Sequence, residues 1–229
     1  MMELQHDDVL AIVLSLKIAF FAMLVSLPFG FAAAWLLVFS RMRGRVLFEV
    51  IINLPLTLPP VVIGYLLLLF FGRHGWGGML LGWLDMPVVF TWKAAVIASS
   101  VVGFPLLVRS IRIAMEAIDV RLIAVSRTLG ASAVDTLVSV IVPLSFHGIL
   151  AGSTLLFARS LGEFGATIIV AGNMPGLTQT IPLAIYDYAA SPTGTVTALS
   201  LSVVSILISV VVLVVHEGLS HRIKERSMG

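Results

Sequence analysis

The segment from Ala117 to Pro143, AIDVRLIAVSRTLGASAVDTLVSVIVP, is the only long stretch between hydrophobic blocks that reads as a compact folded unit. Ile118, Leu122, Val125 and Leu129 recur at helical spacing, with Arg127 on the opposite face and Arg121 at the edge of the stripe. Gly130 follows the last apolar position, where a glycine lets the chain leave a helix in the left-handed conformation without a Cβ clash. Ser132 and Asp135 form an S-x-x-D pair, which predicts a capping box and a second short helix. Pro143 has no amide proton, so it closes that helix or opens the next within its first turn. The expectation is two short amphipathic helices joined at Gly130. Periodicity alone also fits an ordinary helical loop, so the surroundings must decide.

Those surroundings are apolar. The chain has 229 residues, 59% hydrophobic and 11% charged, with a mean hydropathy of +1.09. Soluble domains carry about 25% charged residues, so this composition could not cover a water-exposed surface. The chain is an integral membrane protein. It contains no cysteine, which excludes disulfides and thiolate metal sites. The N-terminus, MMELQHDD, is acidic rather than basic and no small-residue cleavage site follows, so the first span is expected to be retained.

The fold class is all-α: one polytopic membrane domain over 1–229 with about five transmembrane helices. Their approximate bounds are 9–39, 47–71, 93–113, 146–171 and 196–215, with the helical loop at 116–143. The first run exceeds the roughly 20 residues that cross a bilayer, so it should tilt or bend, with Pro28 and Gly30 supplying the bend. Lys17 lies near its outer end, within snorkelling reach of the interface. The second carries Pro55, Pro59 and Pro60, which remove backbone hydrogen bonds at membrane depth. That is tolerated where protein or a water-filled cavity satisfies the freed carbonyls, so a bent segment beside a translocation path is expected, against the alternative of a purely structural kink. Trp76, Trp83 and Trp92, in the Gly-rich loop that follows, suit an interfacial belt.

Charge sorts cleanly on this scheme. Arg41, Arg43, Arg45, Arg109, Arg112, Arg121, Arg127, Arg222, Lys224 and Arg226 share one side. Only Arg73 and Lys93 lie in loops on the other, with Lys17 and Arg159 inside spans. The positive-inside rule then places the N-terminus outside, and the loop and C-terminus in the cytoplasm.

The fourth span holds Ala158-Arg159-Ser160-Leu161-Gly162-Glu163-Phe164-Gly165-Ala166-Thr167. Arg159 and Glu163 are four apart and can pair on one helical face, which Thr167 continues. Ionisable groups inside a membrane are costly and face a bundle interior or a wet cavity. Such a pair either fixes helix packing or touches substrate. Gly162 and Gly165 are expected to let another helix approach. Absences also narrow the class. No G-x-x-x-x-G-K-[ST] occurs, so ATP hydrolysis by this chain is not expected. The five histidines are scattered without ligand spacing, so no metal site or catalytic centre is expected, and no basic aromatic patch suggests nucleic acid.

The loop resembles the cytoplasmic loop of type I binding-protein-dependent ABC transporter permeases, whose pattern is E-A-A, three residues, G, nine residues, I-x-L-P. Here Ala124-Val125-Ser126, Gly130 and Val140-Ile141-Val142-Pro143 occupy those places, with Ala124 where the family has its acid. ARSLGEFGAT, the Asn173-Met174-Pro175-Gly176 loop, Thr180-Ile181-Pro182 and Pro59-Pro60-Val61-Val62-Ile63-Gly64-Tyr65 extend the likeness over essentially the whole chain, toward the molybdate permease family. Sulfate and thiosulfate permeases share a similar G-E-[FY]-G stretch and stand as the alternative. An autonomous channel or ion-coupled carrier is the alternative from another class.

The resemblance implies a homodimer with the oxyanion path on its two-fold axis, in a bacterial inner membrane. Ala124, Arg127, Gly130, Asp135 and Pro143 would couple to a dimer of separate ATPase subunits, which carry ATP and Mg; no cofactor is bound by this chain. An extracytoplasmic binding protein would deliver the oxyanion, and lipid surrounds the whole. Pro55, Pro59, Pro60, Arg159, Ser160, Glu163 and Thr167 are the candidate path or gate.

Overall fold

The computed structural model describes residues 5–40, 42–83 and 86–228 and, among these, contains helices and no strands. Arg41 lies outside the described residues, as do the side chains of His216, His221, Arg222, Lys224 and Arg226. In chain order the helices are α1 His6–Phe39, α2 Arg45–Thr57, α3 Pro60–Phe71, α4 Trp76–Gly82, α5 Trp92–Glu116, α6 Val120–Thr128 and α7 Ala133–Thr136. A π-helical turn, Leu137–Ile141, leads into α8 Val142–Leu161, followed by α9 Gly165–Val170, α10 Ile181–Ala190 and α11 Thr195–Met228.

Four of these stretches are long and apolar enough to cross a membrane: α1, α5, the continuous 133–161 helix and the Thr195–Val215 part of α11. α2 and α3 together are also long and apolar enough, but the chain bends by 113° at their junction, so the pair is either a broken fifth span or a re-entrant loop. The expected all-helical, multi-pass architecture is therefore present.

α5 is the central element, packed along α8 and α1 and touching α2, α3 and α9. In lipid the hydrophobic effect does not drive helices together, because acyl chains are as apolar as leucine; close van der Waals contact does. Glycines supply that closeness. A Cβ on Gly148 would lie 2.4 Å from the Ala114 Cβ and 2.6 Å from the Ser110 carbonyl oxygen. One on Gly152, the next turn of α8, would lie 2.9 Å from the Leu107 carbonyl oxygen. These two glycines form a G-x-x-x-G stripe against α5.

α1 runs unbroken through Pro28. Gly30 serves packing, since the Leu107 side chain sits 2.5 Å from where its Cβ would be. Lys17, on the same helix, places its ammonium 4.0 Å from the centroid of the Trp92 ring, a cation–π contact that anchors it.

Of the two places expected for Pro143, the structure shows the second: the loop's second helix passes through the π turn into α8, and Pro143 sits in the first turn of α8. One expected boundary falls differently. The stretch expected as one span to residue 171 breaks at Gly162, because Glu163 and Phe164 leave helical geometry before α9 starts.

Candidate functional site: the coupling loop and the paired helix breaks

The loop between α5 and α8 forms locally as its residues dictate. The Asp119 carboxylate accepts a hydrogen bond from the Arg121 amide at 2.9 Å and caps α6. α6 ends at Thr128 with Leu129 as its C-terminal cap, and Gly130 takes φ +89°, the left-handed exit. Ser132 and Asp135 then form the expected capping box: the Asp135 amide donates to the Ser132 hydroxyl at 3.1 Å and the Ser132 amide to the Asp135 carboxylate at 3.0 Å. The Ser126 and Thr136 hydroxyls are 2.8 Å apart, and this hydrogen bond closes the two arms on each other.

The apolar stripe of this loop does not face the bundle. Val120, Leu122, Val125 and Leu129 are exposed, Leu129 at 83%, and α6 buries no residue at all. Of the expected stripe only Ile118, just before α6, packs partly on the core, and Ile123 joins it from α6 itself. Val134 and Val138 continue the exposed apolar surface beyond Gly130. Ala124 and Arg127 are exposed on the same short helix. A helix that presents leucine and valine at a polar end of a membrane protein is built to be covered.

The second constellation sits in the bundle. Glu163 is 2% exposed. Its Oε1 accepts from the Ala166 amide at 2.8 Å, covering one of the donors left open at the start of α9. Its Oε2 lies 2.9 Å from Nη1 of Arg159, an ion-pair distance. The approach falls outside hydrogen-bond geometry, so Oε2 has no hydrogen-bond donor and the contact is chiefly Coulombic. The Arg159 side chain remains 34% exposed. Arg159 and Glu163 thus meet across the break, where residue 163 is still within one turn of residue 159.

Thr167 is buried on α9, beyond the break, and does not extend the helical face of Arg159. Ser160 is buried with its hydroxyl unpartnered. Gly162 is exposed with no neighbour pressing on its Cβ position, so of the two glycines only Gly165 makes a close approach.

That approach joins the two constellations of prolines and charges. A Cβ on Gly165 would be 3.0 Å from the Pro60 Cβ, and one on Gly64 would be 2.6 Å from the Ala166 carbonyl oxygen. α3 therefore lies directly on α9, and the Pro59-Pro60 break abuts the Glu163 break. Pro55 is separate, inside α2, lining an apolar groove of about 540 Å³ with Ser26, Phe29 and Phe104. Beyond α9, Asp187 accepts from the Asn173 and Gln179 side-chain amides at 2.8 and 2.9 Å and folds the 172–180 loop back on α10.

One ion cluster joins residues far apart in the sequence. The Arg112 guanidinium donates to Glu49 of α2 through Nη1 and to Glu116 through Nε at 2.7 Å. The i,i+4 spacing of Arg112 and Glu116 was a legible signal; the long-range partner Glu49 was not.

The family model for the inner membrane component of binding-protein-dependent transport systems matches residues 26–225. The chain belongs to that family. Among its relatives, the molybdenum transport system permease protein ModB of Escherichia coli K12 is 45% identical over 95% of both chains. The Haemophilus influenzae protein of the same name is 46% identical over 96% of both. A putative molybdenum transport system permease of Bacillus subtilis is 44% identical over 76% of this chain and 78% of its own. Among solved structures, the inward-facing MetNI methionine ABC transporter gives a TM-score of 0.74 at 16% identity, covering 93% of this chain and 94% of that one. A bacterial alginate ABC transporter, in complex with its pentasaccharide-bound periplasmic protein, gives 0.72 at 17%, covering 96% and 80%. These likenesses establish the type I importer permease fold.

Proposed function

We propose that this chain is the membrane-spanning subunit of an ATP-driven molybdate importer. The observation that carries the reading is the identity of about 45% to molybdenum transport permeases over nearly full length. Two copies enclose the oxyanion path, since the Thr195–Val215 helix and the α2–α3 arm leave most of their surface to be covered by lipid or a second copy. The N-terminus lies outside and the loop-bearing end in the cytoplasm, a reading that the distribution of Arg and Lys supports.

A pair of ATPase subunits, which hold the ATP and Mg, covers the exposed Val120, Leu122, Val125 and Leu129 of α6. Gly130 and the Ser132–Asp135 box hold that helix at a fixed angle to α8. Ala124 leaves the family's acidic place neutral, so apolar contact and Arg127 carry the docking. Pro143, in the first turn of α8, transmits the loop's motion into the span.

An extracytoplasmic binding protein delivers the oxyanion to the opposite face. The path passes the abutting breaks at Pro59-Pro60 and Gly162–Phe164, with Thr167 buried behind the second break and Pro55 in the separate groove beside α2. Arg159 offers a part-exposed cation, while Glu163, tied to the α9 amide and to Arg159, keeps the local charge near neutral. A dianion is then attracted without being held, as alternating access requires.

The test is uptake of labelled molybdate at limiting supply, in cells with and without the gene, with excess sulfate as competitor. Loss of an uptake that sulfate leaves unaffected is the expected result, with tungstate, of nearly the same size and charge, competing. Unchanged molybdate uptake with impaired sulfate uptake would overturn the substrate assignment.

A further inference from the structure

We propose that Arg112 is a positioning residue that ties the broken span to the root of the coupling loop, so that displacement of α6 is carried into α2. The inference rests on the reading of α6 as the ATPase-docking helix. Its ground is the manner in which α2 is held.

α2 buries a single residue, Ile52. It begins after Gly44, at φ +91°, and ends at Leu58 and Pro59, where the chain bends by 113°. Each end is thus a place where the backbone can turn. Open space borders α2 on two sides. A cavity of about 460 Å³ lies between Glu49, Ile52 and Asn53 and the α5 residues Arg109 and Arg112. The apolar groove of about 540 Å³ lies against Phe48, Ile51 and Pro55. A helix with a hinge at each end and room beside it is positioned by whatever fastens it.

Beside the packing of Ile52 and Phe48 on the core, the fastening is ionic. Arg112 uses two donors of its planar fork, Nη1 on Glu49 of α2 and Nε on Glu116 of its own helix, and the Arg45 Nη2 lies 3.8 Å from the same Glu116 oxygen. Arg112 is the least exposed member of the cluster, its side chain 23% exposed against 39% for Glu49 and 44% for Glu116. Glu116 is the last residue of α5, and Asp119, which caps α6, follows three positions later. A push on α6 therefore reaches Arg112 within one turn and α2 through one contact. A lysine cannot reproduce this, because an ammonium is a point charge without the fork that spans two carboxylates.

The experiment uses the complete complex with its ATPase and binding protein in proteoliposomes. The chain has no cysteine, so with cysteine-free ATPase and binding-protein chains only the introduced pairs take the label. Spin labels at Val13 and Leu56 report α2 against the exposed face of α1, and labels at Val13 and Thr128 report α6. In the otherwise unaltered chain ATP should change both distances. In Arg112→Gln the α6 change should persist, the α2 change should shrink, and molybdate taken up per ATP hydrolysed should fall roughly 10-fold. Arg112→Lys, which keeps the charge and is the variant to use if Gln fails to assemble, should recover only part of both.

Retention of the α2 shift and of the uptake ratio in Arg112→Gln would overturn the relay alone. Loss of the α6 shift in that variant would also overturn it, because Arg112 would then act on docking. If ATP moves neither helix in the unaltered complex, the docking reading fails and the relay with it.

Discussion

α5 and α2 are neighbours held in place by opposite means. α5 buries twelve residues along its length and is gripped by glycines of α8 and α1, so any added atom has nowhere to go. α2 buries one, has cavities beside it and is tied to α5 by Arg112 on Glu49, with Ile52 and Phe48 packed on the core. A transporter needs both. Close-packed helices have few alternative arrangements, whereas a helix on hinges with an ionic clasp has at least two. The difference separates a scaffold, α1, α5 and α8, from an arm, α2 and α3.

The comparison breaks most severely at the scaffold. Gly148→Leu should cost about 3 kcal/mol or more, because the new side chain meets the Ser110 carbonyl and the Ala114 methyl. Purification in detergent should show loss of the monodisperse species. Gly82→Leu, with no atom within 4 Å of its Cβ position, should behave as the unaltered chain, and equal damage from the two would erase the distinction.

Where the arm meets the scaffold, Gly64→Ala presses a methyl on the Ala166 backbone and should lower stability by about 1–3 kcal/mol, read as a lower melting temperature. Arg159→Gln and Glu163→Gln, combined in a double-mutant cycle, should show a coupling of about 1 kcal/mol. That lies below the range for fully buried pairs, because the arginine is a third exposed. Simple additivity would count against the pair acting as a unit.

The loop should be the least sensitive in stability and the most sensitive in function. Gly130→Ala forces a Cβ into φ +89°, at a cost of about 1 kcal/mol, and should lower uptake per ATP more than it lowers the melting temperature. Val125→Ser and Leu129→Ser should leave stability within about 0.5 kcal/mol while weakening co-purification of the ATPase. Intact co-purification would show that the exposed stripe is not the docking surface.

Much of this was legible from local pattern. Ser132, Asp135 and Gly130 act over one turn of chain, so spacing alone specifies the capping box and the left-handed exit. The orientation of the α6 stripe was not legible, because periodicity reports an apolar face without saying what covers it. Spacing alone places Arg159 and Glu163 as a pair on one continuous helix. They do pair, but the helix ends at Leu161, since the Glu163 carboxylate does more by accepting the Ala166 amide than by extending the turn.

By itself the sequence determined that this chain lives in a membrane, that it is all-helical with four to five apolar spans, and that a structured loop joins α5 to α8. Hydrophobicity, charge asymmetry and capping are properties of residues within a turn or a span of one another. Only the tertiary structure decided that Pro60 abuts Gly165, that Gly148 and Gly152 seat α8 on α5, and that Arg112 reaches back 63 positions to Glu49. Those contacts depend on which helices lie side by side, and their small residues and charges acquire meaning only once a neighbour stands at contact distance.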